Sequence, residues 1–307
     1  MDSVRLFQVD AFTARRFTGN PAGVLLDADA LSLPQMRAIA RELGAADCAC
    51  VLRPDGADHD VRVRFLTPRG EAAFIGHATL AVHAVLATLG EPPRPRQKQQ
   101  NGRVQVQVLA GGALPRIAIH LPAPQLLGAP DARVLPPLLA ALSLTAADLD
   151  PRCPPRLAGV SGTRLLLGVT DGAVLARVRA DGARLAQLSP QIGAPGVFLF
   201  TLRPAVAGVH TEARMFCPAL GIPEDPVSGN AHGLLGVYLL EHGLLDAGRF
   251  PPAAAPPAPP LEFSGAQGHH IDRPGTVTVV LHRAGAAVQS ISIIGEAVIA
   301  FAASVCP

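Results

Sequence analysis

A chain of 307 residues, 49% hydrophobic and only 16% charged, has enough apolar mass for a sizeable core and two ordinary domains, which excludes disorder as its main state. A net charge of +2 without a sustained Lys/Arg cluster, with one Tyr and no Trp for base stacking, argues against a nucleic-acid partner and for a small-molecule ligand. The start Met1-Asp2-Ser3-Val4-Arg5 lacks a basic segment leading into an apolar one, and no apolar run approaches membrane-spanning length, so a soluble cytoplasmic protein without a membrane partner is expected.

Val4 to Ala11 alternates as a strand, and Gly19-Asn20-Pro21 turns the chain into a second apolar run, Ala22 to Leu26. Ser32 with Gln35 has capping-box spacing, Met36, Ile39, Ala40 and Leu43 keep helical period, and Gly44 supplies the stop. The helix exit leads through Ala45-Ala46-Asp47 into a short strand, Cys48 to Leu52, which places Asp47 at a junction. Arg62 to Leu66 reads as a strand, Thr67 to Glu71 as a turn, and Gly76-His77 as the start of a helix. That helix carries Ala78, Ala81, Val82, Val85 and Leu89 on one face and ends at Gly90. The polar, Pro-rich segment Glu91 to Gly102 reads as a loop, and Val104 to Leu109 with Pro115 to Leu121 as a hairpin around Gly111-Gly112.

Proline and small residues dominate from Pro122 to Pro137, which marks a boundary between two halves: residues 1–115, to which 297–307 return, and residues 116–296. The second half repeats the vocabulary of the first. Helices are expected at Leu135 to Leu142 and Asp181 to Leu188, and strands at Arg164 to Val169, Val174 to Val178, Val197 to Leu202 and Glu212 to Phe216. A glycine-started helix with Leu234, Leu235, Tyr238 and Leu239 follows and stops at Gly243. Pro251 to Pro260 is a Pro/Ala loop, and Thr276 to Leu281, Ser290 to Ile294 and Ala297 to Phe301 close the chain as strands.

Two turns stand out. Phe74-Ile75-Gly76-His77-Ala78-Thr79 and Glu224-Asp225-Pro226-Val227-Ser228-Gly229-Asn230 each pass through glycine and polar residues into an apolar helical stripe, and helix starts offer unpartnered N–H groups and a positive dipole end to a carboxylate or an enolate oxygen. The five cysteines, at 48, 50, 153, 217 and 306, have neither zinc-site spacing nor disulfide density, and Cys48 and Cys50 read as buried small hydrophobes. His83, His232, His269 and His270 form no metal spacing, so no metal is expected. No glycine-rich dinucleotide fingerprint is present.

Gln8 to Phe12, Gly19-Asn20-Pro21, Arg64 to Pro68 with Glu71, Gly76 to Thr79, Arg214 to Pro218 leading to Gly221 to Pro226, Gln267-Gly268 before Arg273-Pro274, and Ile294 to Val298 occur in this order. Together they resemble the phenazine-biosynthesis PhzF-like family, relatives of diaminopimelate epimerase, from residue 3 to about residue 300. The resemblance implies an α+β fold of two pseudo-symmetric lobes, each a mixed sheet around a central helix, with the active site in the cleft between them. It also implies a cofactor-free isomerase of small carboxylic acids, usually a homodimer. Racemase-type members carry cysteines where Ile75 and Asn230 stand here, so two-thiol chemistry is not expected and Cys217 reads as packed.

In the isomerase members a glutamate at the position of Asp47 shuttles the proton, and the histidine and aspartate at His77 and Asp225 complete the polar site. Asp47 keeps the acid but is shorter by one methylene, and Asn230 replaces an expected substrate-binding serine. The resulting expectation is a catalytic set of Asp47, His77 and Asp225, with Gly76, Ala78, Gly229, Asn230 and Asn20 binding substrate. Each has a plainer reading: Asp47 and Asp225 as turn formers, His77 and Asn230 as helix caps, and Asp10, Asn20 and Glu71 as residues that fix loops. The leading function is a proton or double-bond shift on a small carboxylate, as a step of biosynthetic secondary metabolism. The alternatives are a hydrolase, C–C or similar, in which Asp47 activates water, and a catalytically silent ligand- or protein-binding relative.

Overall fold

The computed structural model describes residues 3–44, 47–159, 162–245, 260–285 and 287–306. The chain divides into two compact units, Met1–Leu121 with Ile293–Pro307, and Pro122–Ser292.

The first unit is built from β1 (Val4–Ala11), β2 (Asn20–Leu25), α1 (Leu33–Glu42), β3 (Cys48–Leu52), β4 (Val61–Thr67), β5 (Gly70–Ala72), α2 (Gly76–Thr88), β6 (Arg96–Gln99), β7 (Gly102–Leu109) and β8 (Arg116–Pro122). β1 pairs antiparallel with β2, β2 parallel with β3, β3 antiparallel with β4, β4 parallel with β6, and β6 through β8 form antiparallel neighbours. The last strand of the chain, β17, pairs with β1 and also with β8, which brings the ladder back to its start.

α2 packs on β1, β2, β3 and β7, and every residue from Ala78 to Leu86 is buried. The expectation of a single apolar face is therefore corrected. A helix surrounded by strands must be apolar all round, and Leu89, assigned to that face, is instead exposed just beyond the last turn. α1 covers the other side of the sheet through Met36 and Ala40, against Leu25, Cys48, Cys50, Leu52 and Leu66. With cover on both faces, all five residues of β3 are buried, and the run lacks a polar alternation.

The segment read as a loop from Glu91 to Gly102 contains β6. Its polar sequence hid a strand because its glutamines find partners inside: Gln97 is fully buried, with its Oε1 3.1 Å from His83 Nε2 and its Nε2 donating to Thr79 Oγ1 at 3.2 Å. Hydrogen-bonded polar side chains can replace apolar ones in a strand, and hydropathy alone does not see this.

The second unit contains β9 (Gln125–Leu126), α3 (Leu135–Ala141), β10 (Arg156–Gly159), β11 (Thr163–Gly168), α4 (Gly172–Arg177), α5 (Gly182–Ile192), β12 (Val197–Thr201), β13 (Thr211–Cys217), β14 (Ile222–Asp225), α6 (Gly229–Glu241), β15 (Leu261–Gln267), β16 (Gly275–Ala284) and β17 (Ala287–Val305), which crosses into the first unit. The pairing sense repeats that of the first unit: β10 antiparallel to β11, β11 parallel to β12, β12 antiparallel to β13, β13 parallel to β15, β15 antiparallel to β16. α6, like α2, is buried along nearly its whole length and packs on β16 and β9. α3, α4 and α5 bury Leu138, Leu139, Leu175, Leu185 and Ile192 against Leu165, Leu167 and Leu199.

Two further expectations are corrected. Val174 to Val178, read as a strand, lies mostly in α4, because the Asp171 carboxylate accepts the Val174 N–H at 3.0 Å and so starts a helix that buries Val174 and Leu175. The two closing strands are one 19-residue strand. Gly295 does not break it; a Cβ there would stand 2.4 Å from Phe12 Cδ1, so the glycine allows close packing within a continuous strand. The Pro/Ala run Pro251 to Pro260 lies, except for Pro260, outside the described residues, as do Ala45 and Ala46.

Candidate functional site

In the first unit the chain leaves α1 and enters β3 at Asp47, whose carbonyl accepts the Gly23 N–H at 2.9 Å and thereby fixes the junction to β2. Asp47 Oδ2 lies 3.2 Å from Nε2 of His77, and both side chains are only 12% exposed. At that exposure the pair is largely withdrawn from water, which strengthens any electrostatic interaction between the two groups. His77 stands in the first turn of α2. The residue preceding the helix, Ile75, is extended and provides no side-chain cap, since it has no acceptor. Gly76 begins the helix in open space: the nearest atom to a Cβ built there is 4.0 Å away. Ala78, one residue on from His77, is fully buried, and Asn20 is buried at the first position of β2.

Asp10 and Glu71 have structural partners. The Asp10 carboxylate accepts the Phe17 N–H at 2.6 Å and holds the loop between β1 and β2, where Phe12, Phe17 and Gly19 have positive φ. Glu71 receives two hydrogen bonds from Arg64, at 2.8 and 2.6 Å, and the guanidinium holds its carboxyl below the usual range.

The thiols of Cys48, Cys153 and Cys217 are not poised for chemistry. A hydrogen bond with Cys50, together with burial, holds the Cys48 thiol well above its ordinary range, and burial pushes Cys153 and Cys217 up to about 12. Among the described residues no three His, Cys, Asp or Glu side chains converge as a metal-ligand group.

In the second unit Asp225 ends β14, where it pairs with Met215. The chain then turns through Pro226 and the fully buried Val227 to Ser228, whose hydroxyl accepts the Ala231 N–H at 3.3 Å and caps α6. Gly229 is buried and Asn230 half-buried in the first turn. Gln267, at the end of β15, was only part of a motif in the sequence, yet it donates to the Asp225 carbonyl at 2.7 Å and accepts the Ser228 N–H at 3.1 Å. Its Gln-Gly pairing before Arg273 was the available signal, but nothing in it told which backbone groups the carboxamide would meet.

A family model described as phenazine biosynthesis-like protein, PhzC-PhzF, matches residues 9–303. An uncharacterized isomerase, YddE, of Salmonella typhimurium is 35% identical over 97% of this chain and 96% of its own. The trans-2,3-dihydro-3-hydroxyanthranilate isomerase of Pseudomonas aeruginosa is 28% identical over 95% of each. Among solved structures, a phenazine biosynthesis protein of the PhzF family from Bacillus anthracis covers the whole of both chains with a TM-score of 0.86 and 26% identity. The chain therefore belongs to the phenazine biosynthesis-like, PhzC-PhzF family, whose relatives along nearly its full length are named isomerases.

Proposed function

We propose that this isomerase shifts a proton, and with it a double bond, on a small carboxylate-bearing metabolite without a cofactor, with Asp47 as the acid/base. The observation that carries the reading is the Asp47–His77 pair, 3.2 Å apart and mostly withdrawn from water, at a helix start without a side-chain cap. In the reaction a C–H bond breaks toward the Asp47 carboxylate, the electron pair moves through the neighbouring double bond, and the protonated Asp47 delivers a proton to another carbon. His77, whose Nε2 stands 3.2 Å from the carboxylate, orients it. Asp225 orients substrate, and the backbone donors of Gly76, Gly229 and Asn230, with Asn20 and Ala78 as supporting contacts, bind its oxygens. A homodimer in the cytoplasm acting on a biosynthetic intermediate completes the reading.

Trans-2,3-dihydro-3-hydroxyanthranilate, the compound in the name of the Pseudomonas relatives, is the first substrate to test. Asp47 is shorter than the glutamate expected there, and a base displaced by about an ångström can lose on the order of a hundredfold in rate, so a compound that approaches closer to β3 is also a fitting substrate. Turnover in deuterated water with Asp47→Asn is the decisive measurement: the variant should lose about 10²- to 10⁴-fold in rate and in solvent exchange at carbon. Full activity of Asp47→Asn would reject Asp47 as the base. Uptake of labelled solvent oxygen into product would instead make the protein a hydrolase.

A further inference from the structure

Gln267 is 1% exposed, and both ends of its carboxamide are used on one turn. Its Nε2 donates to the Asp225 carbonyl at 2.7 Å while its Oε1 accepts the Ser228 N–H at 3.1 Å. Because one partner is an acceptor and the other a donor, a single orientation of the amide satisfies both. The next residue touches the same turn. Gly268 has φ +83, and a Cβ there would stand 2.8 Å from the Pro226 carbonyl oxygen and 2.1 Å from that of Arg273. Two consecutive residues thus grip the backbone of Asp225, Pro226 and Ser228 from below.

The grip decides which donors remain for a ligand. The Ser228 N–H is taken by Gln267 and the Ala231 N–H by the Ser228 hydroxyl, which leaves the N–H groups of Gly229 and Asn230 at the start of α6. Among the described residues the first unit lacks this arrangement. The register of β4 with β6 and of β13 with β15 makes Gln99 the counterpart of Gln267, yet Gln99 accepts a hydrogen bond from Gln97 at 3.4 Å. The clamp is a property of one unit, not a requirement of the repeated fold.

We propose that Gln267 is a positioning residue that clamps the Asp225–Ser228 turn, so that the Gly229 and Asn230 N–H groups are held ready for a substrate oxygen; this rests on the isomerase reading of the same turn. Gln267→Glu separates positioning from bulk. As a carboxylate it still accepts from Ser228 but cannot donate to the Asp225 carbonyl, whereas once protonated it does both. With trans-2,3-dihydro-3-hydroxyanthranilate as the probe, KM of Gln267→Glu at pH 8 should rise about tenfold with kcat within about threefold, and return toward the wild-type value as the pH falls toward 5. Gln267→Met should keep the raised KM at every pH. Wild-type KM in both folded variants across that range would overturn the proposal, as would a loss of melting temperature with no pH-dependent difference in KM. If the wild type does not turn the compound over, the functional reading has failed, and backbone amide exchange still tests the clamp. Exchange at Ser228 should rise at least tenfold in Gln267→Met; unchanged protection there would overturn it.

Discussion

The two units share a strand order, and their registers allow the comparison residue by residue. Arg64 bonded to Glu71 corresponds to Arg214 bonded to Glu224, Gly76 to Gly229 and His77 to Asn230. The acids do not correspond. Asp47 and Gly196 occupy the same place, each offering its carbonyl to the neighbouring strand, at 2.9 Å to Gly23 and 3.0 Å to Leu165. A Cβ at Gly196 would meet Cys217 Sγ at 2.4 Å, so the second unit has no room for a side chain there. Its carboxylate stands at Asp225, where the first unit has Ala72. The repeat thus provides the scaffold, and the local packing of each copy decides where an acid can be carried.

The buried interior differs in the same manner. Thr79 on α2 and Gln97 on β6 fill in the first unit the place that His232 on α6 and Gly265 on β15 fill in the second, where a Cβ at Gly265 would stand 2.4 Å from the imidazole. A larger residue on the helix is offset by none on the strand. Interiors are packed closely enough that such exchanges must be made in pairs.

The sharpest test of the comparison is the ion pairs. Arg214 is 9% exposed and also donates to the carbonyls of Leu175 and Val178, at 2.9 and 3.1 Å, whereas Arg64 is 32% exposed. Glu224→Gln should therefore cost about 3 to 4 kcal/mol in denaturant unfolding, and Glu71→Gln about 1 kcal/mol or less. Equal costs would show that burial does not distinguish the two copies.

Acid should act on both units through buried histidines. Burial pushes His83 down to about 4, against a smaller opposing effect of its bond with Gln97, and pushes His232 down to about 3. In the folded protein both rings stay neutral while the unfolded chain takes up protons below about 6.5, so the stability they preserve is complete above that pH and falls as pH decreases toward the folded values. Together they should remove about 3 kcal/mol between pH 6.5 and 5, followed by thermal or urea unfolding, and His83→Gln should remove about half of that dependence. A flat profile would place protonated rings in the fold.

A smaller effect addresses the packing exchange itself. Gly265→Ala should destabilise by about 2 kcal/mol through contact with the His232 ring, but by at least about 1 kcal/mol less when His232 is already alanine. Additive costs in a double-mutant cycle would separate the two positions.

Much of the scaffold was legible. Ser32 with Gln35 marked the start of α1, where the Ser32 N–H donates to Gln35 Oε1 at 2.9 Å, and glycines at 44, 90 and 243 marked helix ends in left-handed conformation. β6 was not legible because Gln97 and Gln99 are polar residues with internal partners, and α4 was not because two valines suggested a strand while the Asp171 cap decided for a helix. Asp47 and His77 were legible as separate residues through their motifs; their pairing was not, since residues thirty positions apart meet only when α1, β3 and α2 are packed together.

The sequence by itself determined the family and the glycine-started helices, because motifs, caps and turns act over a few neighbouring residues. Tertiary structure decided that both central helices are enclosed on all sides, that His77 meets Asp47, and that Gln267 holds the Asp225 turn. These depend on side chains from distant segments satisfying one another's hydrogen bonds and volume, which no local pattern specifies.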